Sequence, residues 1–473
     1  MTRRLRMVRR HWAFVIVASL GATLRALAWA AYQPALFYPD SVNYLENTHR
    51  VPNVSWHPPG YAWLLDLLLI GHHLAVVTAV QHLLVIADAV LIYVLLQRLG
   101  AGRIVATLAT APLLLDAYQV QIEQYVLSEA LFESLLAAAV AIALWPSREW
   151  RSTLSARRAG AVALLLGALV LVRIDALGLV VALVGWLVWW ALRYGIVRSW
   201  RPIATAVVAL ALPLVALFGM RGVVVEGTPF SGMNAIWFYS RVATFADCAH
   251  DSIPANERSL CPTQPIGGRP GPIWFQDSPS APEVQYLAIH HGDTATVKAF
   301  ARRVVLHQPL DYLRAVDADF AEQFRPTRAQ TPDGPEVRSW LFRDTLTPVD
   351  PSKPVPQTMV SAFGTGHARI DVGIARALGD YQRFGYLPGP VIALLALGSL
   401  VALVVRRRHP LAPGLLFVLL SAVMTVLVAT ATVLFSWRYM LPTLLLYPLA
   451  GAIAWTMVRS GSLSTTTSGT LEP

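Results

Sequence analysis

FYPDSVNYLENTHRVPNVSWHPPGY, residues 37–61, stands between two apolar runs, WAFVIVASLGATLRALAWAAY (12–32) and AVVTAVQHLLVIADAVLIYVLL (75–96). At about 1.5 Å of rise per residue, each flanking run is long enough to cross a hydrocarbon layer of about 30 Å. The stretch between them carries acids, histidines, aromatics and Pro-Pro, and reads as a structured hairpin tip at a membrane surface. It places Asp40, Tyr44 and Asn47 four and three residues apart, on one side of a short helix. Pro58 and Pro59 stop that helix and turn the chain. YAWLLDLLLI (61–70), too short to span and rich in Trp, Tyr and Leu, then reads as a helix lying at the interface.

The rest of the chain repeats this alternation. Of 473 residues 55% are hydrophobic and 14% charged, and the mean hydropathy is +0.51, which excludes an ordinary water-soluble domain. Further apolar runs at 124–145, 176–192, 203–220, 388–405, 415–435 and 439–458, with shorter ones at 104–115 and 160–172, bring the expected number of spans to about ten. The expected fold class is therefore an all-α polytopic membrane protein. Residues 1–220 form an N-terminal transmembrane module, with its first outer loop at 33–60 and an interfacial helix at 61–71. Hydropathy collapses over 221–387, too long for a loop, which is expected to be an inserted extracytoplasmic domain, mainly helical with minor β. Its TVKAFARRVVLHQPLDYLRAVDADFAEQF (296–324) predicts two amphipathic helices broken at Pro309, whereas EGTPFSGMNAIWFYSRVATFADCAH (226–250) reads as irregular structure with short strands. C-terminal spans follow at 388–459, then a small, polar, disordered tail at 460–473.

A net charge of +10 raises the question of nucleic acid, and the placement of arginine answers it. Arg3, Arg4, Arg6, Arg9 and Arg10 precede the first run; Arg98 and Arg103, then Arg157 and Arg158, then Arg193 and Arg198, then Arg406, Arg407 and Arg408 fall in alternate short loops. That is the positive-inside pattern, so no nucleic-acid partner is expected. Both termini fall in the cytoplasm, and the first run is an uncleaved anchor in the plasma (inner) membrane. Cys248 and Cys261, the two cysteines, fall outside, where a disulfide is permitted and contributes roughly 3 kcal/mol.

Ionisable groups are expensive in a bilayer, so their sidedness is informative. By the count of spans, Asp40, Glu46 and His57 lie outside; so do Asp116, Glu123 and Glu129, then Arg173 and Asp175, then Arg438. All candidate chemistry is thus expected on one face. Each residue also has a plainer reading: Asp40 as a cap of a helix beginning at Ser41, Glu129 as a first-turn acid, Arg173 and Asp175 as a local pair, Arg438 as an interfacial anchor. His72, His73 and His82 follow no metal-ligand spacing, Asp66 and Asp88 are assigned no chemistry, and Trp186, Trp189 and Trp190 read as an aromatic belt.

The layout resembles the GT-C superfamily of membrane glycosyltransferases, and within it the polyprenyl-phosphate-sugar-dependent enzymes related to protein O-mannosyltransferases (glycosyltransferase family 39). The matching pieces are Arg25, YPDSVNY (38–44), WHPPGYAWL (56–64), LSEALFESLL (127–136), LVRIDAL (171–177) and WRYMLP (437–442), in order and on one face. The resemblance implies a GT-C-like bundle and a sugar donor on a polyprenyl phosphate. Asp40 would be general base, Arg173, Arg438 and His57 would bind the donor phosphate, and Glu129, Glu46 and Tyr44 are candidates for holding acceptor or metal. Ser41 stands where many relatives carry a second acid, so a divalent cation (Mg or Mn) is admitted but no cofactor is assigned. The acceptor would be a cell-envelope glycan, lipid or protein, with Trp237, Phe238 and Trp274 as stacking surfaces or as core. Lys298 and Lys353 are the only lysines, as in a GC-rich bacterial genome, actinobacterial in character, which fits cell-wall assembly. Two other readings remain: a polyprenyl-linked lipid transporter or flippase, and a non-enzymatic envelope assembly protein.

Overall fold

The computed structural model of the protein describes residues 9–48, 57–71, 73–146, 154–224, 232–249, 252–331, 337–345 and 368–462. The tail beyond 462, His72 and most of the N-terminal arginine cluster lie outside the described residues.

Each expected apolar run is helical. The chain enters as α1 (Trp12–Ala31), forms a two-residue strand β1 (Tyr32–Gln33), then the short helices α2 (Pro39–Glu46) and α3 (Gly60–Leu68). It returns through α4 (Leu74–Arg98), α5 (Arg103–Leu115) and the short α6 (Ala117–Ile122), then α7 (Glu129–Leu144), α8 (Ala156–Val172), α9 (Leu179–Tyr194) and α10 (Ile196–Val224). Six helices among the described residues are long and apolar enough to cross a membrane: 12–31, 74–98, 174–194, 196–217, 412–432 and 441–460. The remaining runs form shorter helices, α5, α7 and α8 among them, so of about ten expected spans six are helices of full span length among the described residues. The run from 124 is shorter than expected because residues 123–128 are turns, and the helix starts at Glu129.

Small residues set how closely the helices approach. A Cβ on Gly160 would meet Thr205 Cγ2 at 2.8 Å, and one on Gly167 would meet Pro213 Cγ at 2.9 Å, so side chains of α10 pack directly on the α8 backbone. Gly21 does the same for α1 against the Leu114 carbonyl of α5 at 2.9 Å. Trp186 and Trp190 correct the aromatic-belt reading: spaced four apart, they turn to the same face of α9 and are buried, Trp186 against Phe417 at 5.6 Å.

The inserted segment is built of helices α11 (Gly232–Ala243), α12 (Pro272–Asp277), α13 (Pro282–Ile289), α14 (Thr294–His307) and α15 (Pro309–Ala321). The two amphipathic helices broken at Pro309 are α14 and α15. The expected short strands near 232–243 are a helix instead. Ala235, Tyr239, Val242 and Ala243 recur at spacings of four, three and one, bury fully, and pack with Phe275 and Phe300; that periodicity overrides the aromatic, strand-favouring composition. Cys248 and Cys261 form a disulfide beside this core.

The later part of the insertion is sewn onto the bundle. The strand β2 (Arg369–Ile370) pairs antiparallel with β1, Tyr32 opposite Ile370, and α16 (Val372–Gln382) follows. Ala375 and Leu378 of α16, with Phe342, pack on Ala28, Ala31, Ala117 and Val120 of the bundle end. Helices α17 (Gly389–Val405), α18 (Ala412–Thr432) and α19 (Leu441–Ser462) complete the bundle.

The bundle has two unlike ends. At one, His11 Nδ1 meets Tyr93 Oη at 2.7 Å, Arg98 lies over Trp145 at 4.8 Å, and Arg193 donates to the Arg408 carbonyl at 2.8 Å. The hairpin tips carrying Asp40, Glu129, Arg173 and Arg438 meet at the other.

Candidate active site

Local chain rules aim the first tip. Pro39 supplies a ready-made φ for the first turn of α2, and the Ser41 hydroxyl accepts the Tyr38 N–H at 3.0 Å. Ser41 does the capping, so Asp40 is free to point elsewhere, and the capping reading of Asp40 is overturned. Leu36 is zipped to the 123–128 turn by its N–H to the Gln124 carbonyl (2.8 Å) and its carbonyl from Val126 N–H (3.1 Å). On the far side, Gly60 opens α3 against the end of α8, where a Cβ would meet the Leu171 carbonyl at 2.7 Å.

With the tips held, Asp40 Oδ2 accepts from Arg438 Nη1 at 2.6 Å. Arg438 Nε donates to Glu129 Oε1, and Arg173 Nη1 donates to that same oxygen. Arg173 closes the chain with a bidentate pair to Asp175, Nε to Oδ1 at 3.1 Å and Nη2 to Oδ2 at 2.8 Å. Two guanidinium groups and three carboxylates, from four separate tips, form one ladder. Tyr38 lies 5.6 Å from Arg438, and Tyr439 lies 5.3 Å from Arg173. The middle of the ladder is buried and its two ends reach solvent: Glu129 and Arg438 are 3% and 6% exposed, Asp175 and Asp40 22% and 26%. Arg173 engages both oxygens of Asp175, whereas Arg438 engages Asp40 through Oδ2 alone, so Asp40 is the end carboxylate with an oxygen outside the arginine pairing.

His57 Nε2 lies 3.8 Å from Asp40 Oδ1, and its ring stacks on Tyr44 at 4.6 Å between centroids. Tyr44 in turn shares a 3.0 Å hydrogen bond with Ser128 and meets Tyr61 edge-on. Burial pushes the Asp40 carboxyl up, but the Arg438 guanidinium, then His57 and Arg173, more than offset it and hold it below the usual carboxylate range. For His57 burial dominates, lowering its pKa although Asp40 pulls the other way. Near neutral pH the site thus presents an ionised carboxylate beside an uncharged imidazole.

Of the residues expected from sequence, Asp40, His57, Tyr44, Glu129, Arg173 and Arg438 come together. Glu46 does not: about 1.7 turns beyond Asp40, it turns to a different face of α2 and is exposed. Both arginines are engaged by acids, so the local-pair reading of Arg173 and Asp175 holds as geometry, and Arg438, buried and bridging Asp40 to Glu129, is no snorkelling anchor. Tyr38, Ser128 and Tyr439 join from positions that sequence singled out only as neighbours. A divalent cation does not fit this arrangement. Among the described residues no group of three His, Cys, Asp or Glu side chains converges for a metal. The acids that line the ladder already face the cationic groups of Arg173 and Arg438, which would repel one.

A second polar network is buried in the bundle, and it takes up Glu123, which the count of spans placed among the outer candidates. Arg25 donates Nε and Nη2 to Glu123 at 2.7 Å each, and caps the last carbonyls of α5, Nη1 to Leu114 at 2.7 Å and Nη2 to Leu113 at 2.9 Å. His82 bridges Glu123 and Gln124 at 2.8 and 2.9 Å. Ser134 donates to Asp88 at 2.6 Å, and Gln119 to Glu133 at 2.7 Å. In the inserted segment, Asp317-Ala318-Asp319 has the spacing of a nucleotide-sugar acid pair, yet Asp319 is engaged structurally by Arg241 at 2.8 Å and by the Phe435 N–H at 3.1 Å. Phe238 meets Tyr312 edge-on and Trp274 packs against Phe275; both, like Trp237, are half-buried.

No family model matches the sequence, and no curated protein matches it. Among solved structures, the chain is similar to an archaeal oligosaccharyltransferase from Archaeoglobus fulgidus, whose structure holds an inhibitory peptide and a dolichol-phosphate. The TM-score is 0.41 at 12% identity; the match covers 98% of this chain and 53% of that one, so the chain spans about half the length of that protein.

Proposed function

We propose that this protein is a membrane glycosyltransferase that moves a sugar from a polyprenyl-phosphate donor to an acceptor hydroxyl on the extracytoplasmic side. Asp40 takes the proton from the acceptor oxygen as that oxygen attacks the anomeric carbon. The bond from that carbon to the phosphate oxygen breaks, configuration inverts, and polyprenyl phosphate departs with the bonding pair. Arg438 and Arg173 keep positive charge beside the place where the phosphate gains negative charge, in a partly dry site where such charge acts strongly. His57, uncharged, offers a hydrogen bond to the phosphate in place of a cation.

The observation that carries this reading is Asp40 itself: an ionised, partly exposed carboxylate, with one oxygen outside the arginine pairing, at one end of a ladder that four hairpin tips assemble. The structural acid Glu123 also draws partners from several helices but is fully buried, whereas Asp40 is 26% exposed. The six sequence motifs resembling the GT-C enzymes supply the donor class, and the alternation of arginine-rich loops supplies the sidedness.

Asp40→Asn keeps the volume and removes the base. In purified, folded protein with a polyprenyl-phosphate-sugar donor, transfer is expected to fall about 10²–10⁴-fold; retained transfer would rule out the base assignment. The buried acids Asp88 and Glu133 favour a second reading, transport of a polyprenyl-linked lipid, because intramembrane acids often mark transport paths. Release of polyprenyl phosphate from membrane lipid extracts supports transfer; movement of intact lipid without cleavage supports transport.

A further inference from the structure

Beside the carboxylate ladder the inserted segment and the bundle end enclose an open cleft of about 860 Å³, which neither the donor nor the proton transfer uses. Its volume falls within the range of small-molecule sites. Arg328 forms its anchored end. That guanidinium pairs through Nη1 and Nη2 with Asp116 at 2.8 and 2.5 Å and stands 4.4 Å from the Tyr118 ring and 5.4 Å from the Tyr386 ring. Asp116 also accepts from the Tyr118 and Leu387 N–H groups at 3.0 Å each, so the arginine and both tyrosines are held in fixed places. The rim carries Arg343, Arg376 and Arg383, with Asp344 and Asp380 among them. Counting Asp116 behind Arg328, four guanidinium groups therefore face three carboxylates, an excess of one positive charge at the cleft. Arg376 and Arg383 are 69% and 80% exposed, paired at the surface with Asp344 (3.0 Å) and Asp380 (3.3 Å), contacts weak enough for an incoming anion to replace.

The cleft shares a wall with the site. Trp437, next to Arg438, donates its indole N–H to the Ala329 carbonyl of the cleft lining at 3.0 Å. Trp340, next to the lining residue Leu341, packs on Tyr38 at 4.9 Å, two residues before Asp40. Both tryptophans are buried and form the wall between the cleft and Asp40, so an acceptor held in the cleft sits beside the carboxylate ladder.

We propose that this cleft is the acceptor subsite, and that it takes an anionic saccharide whose carboxylate or phosphate is held by the arginine rim while its rings lie against the tyrosine-lined end. The assignment as acceptor rests on reading the Asp40 ladder as a glycosyl-transfer site; the binding does not. Forked guanidinium contacts suit both uronate and sugar phosphate, and aromatic walls suit the flat apolar faces of pyranose rings.

The test is calorimetric titration of the purified full chain in detergent with trigalacturonate, with maltotriose phosphate and with neutral maltotriose. An anionic trisaccharide is expected to bind at least ~10-fold more tightly than maltotriose, the size of one charge-assisted hydrogen bond, and to weaken with added salt. Whichever anion binds better identifies the source, uronate or phosphate. The double variant Arg376→Gln with Arg383→Gln removes only exposed side chains; it should melt like the wild type and lose most of the anion preference. Equal affinity for neutral and anionic sugars, or an anion preference that the double variant leaves intact, overturns the proposal. Asp40→Asn serves as the separating control: it should bind the anionic sugar like the wild type, and if it also retained transfer, the base assignment would fail while the cleft assignment stood.

Discussion

At the scale of single residues, Arg438 decides how Asp40 behaves. One guanidinium joins the partly exposed carboxylate to buried Glu129, keeping Asp40 ionised at the cost of some strength as a base. With its pKa held below the ordinary value, Asp40 does not set the acidic limb of the rate profile in mildly acid solution. Arg438→Gln removes the cation that holds the proton away, so the Asp40 pKa rises. The acidic limb of kcat/KM is then expected to move to higher pH, together with a loss of rate of at least about 10²-fold, the scale of a lost charge-stabilising donor; an unmoved limb would show that Asp40 is not the titrating base. Glu283, in α13, is a residue-scale case of another kind. It is fully buried with neither oxygen partnered, and burial pushes its carboxyl up to about 9 from an ordinary 4.5. The unfolded chain releases this proton above its ordinary pKa while the folded chain holds it, so stability is lost as pH rises from 4.5 to about 9. Glu283→Gln should flatten that fall, read as melting temperature at pH 6 and pH 9.

At the scale of elements, α3 is the brace of the site. It starts at Gly60, packs against the end of α8, and sets Tyr61 edge-on to Tyr44, which carries His57. A methyl group at Gly60 has a backbone carbonyl in its way, which cannot swing aside as a side chain does. Gly60→Ala is expected to shift α3 outward, destabilise the protein by about 1–3 kcal/mol, and reduce transfer more than donor binding. Thermal unfolding in detergent alongside kcat and KM checks this; unchanged kcat would show that α3 does not position the site. The pairing of β1 with β2 and the docking of α16 on the ends of α1 and α6 serve the neighbouring cleft similarly, tying the inserted segment to the bundle.

At the scale of the whole molecule, the two unlike ends of the bundle make sidedness testable. Cys248 and Cys261 are disulfide-bonded, so a single added cysteine reports alone. In intact cells, Glu46→Cys, exposed near the ladder, should react with an impermeant maleimide, and Arg407→Cys only after permeabilisation; the reverse would place the proposed reaction on the cytoplasmic side. Much of the architecture was legible in the chain. Apolar run length marked the helices, because spanning the membrane is a local requirement of length and hydropathy. The periodicity around Pro309 marked α14 and α15 for the same local reason. Sequence by itself also determined which hairpin tips carry acids and arginines. It could not say which of those charges share a partner. Arg25 and Arg438 are both arginines near span ends, yet one caps the C-terminal end of α5 and pairs with Glu123 while the other bridges Asp40 to Glu129. Only tertiary structure decided that. Side-chain pairing depends on how helices far apart in sequence approach and rotate, and those distances come from contacts such as Gly21 on Leu114 and Gly60 on Leu171, which no local pattern encodes.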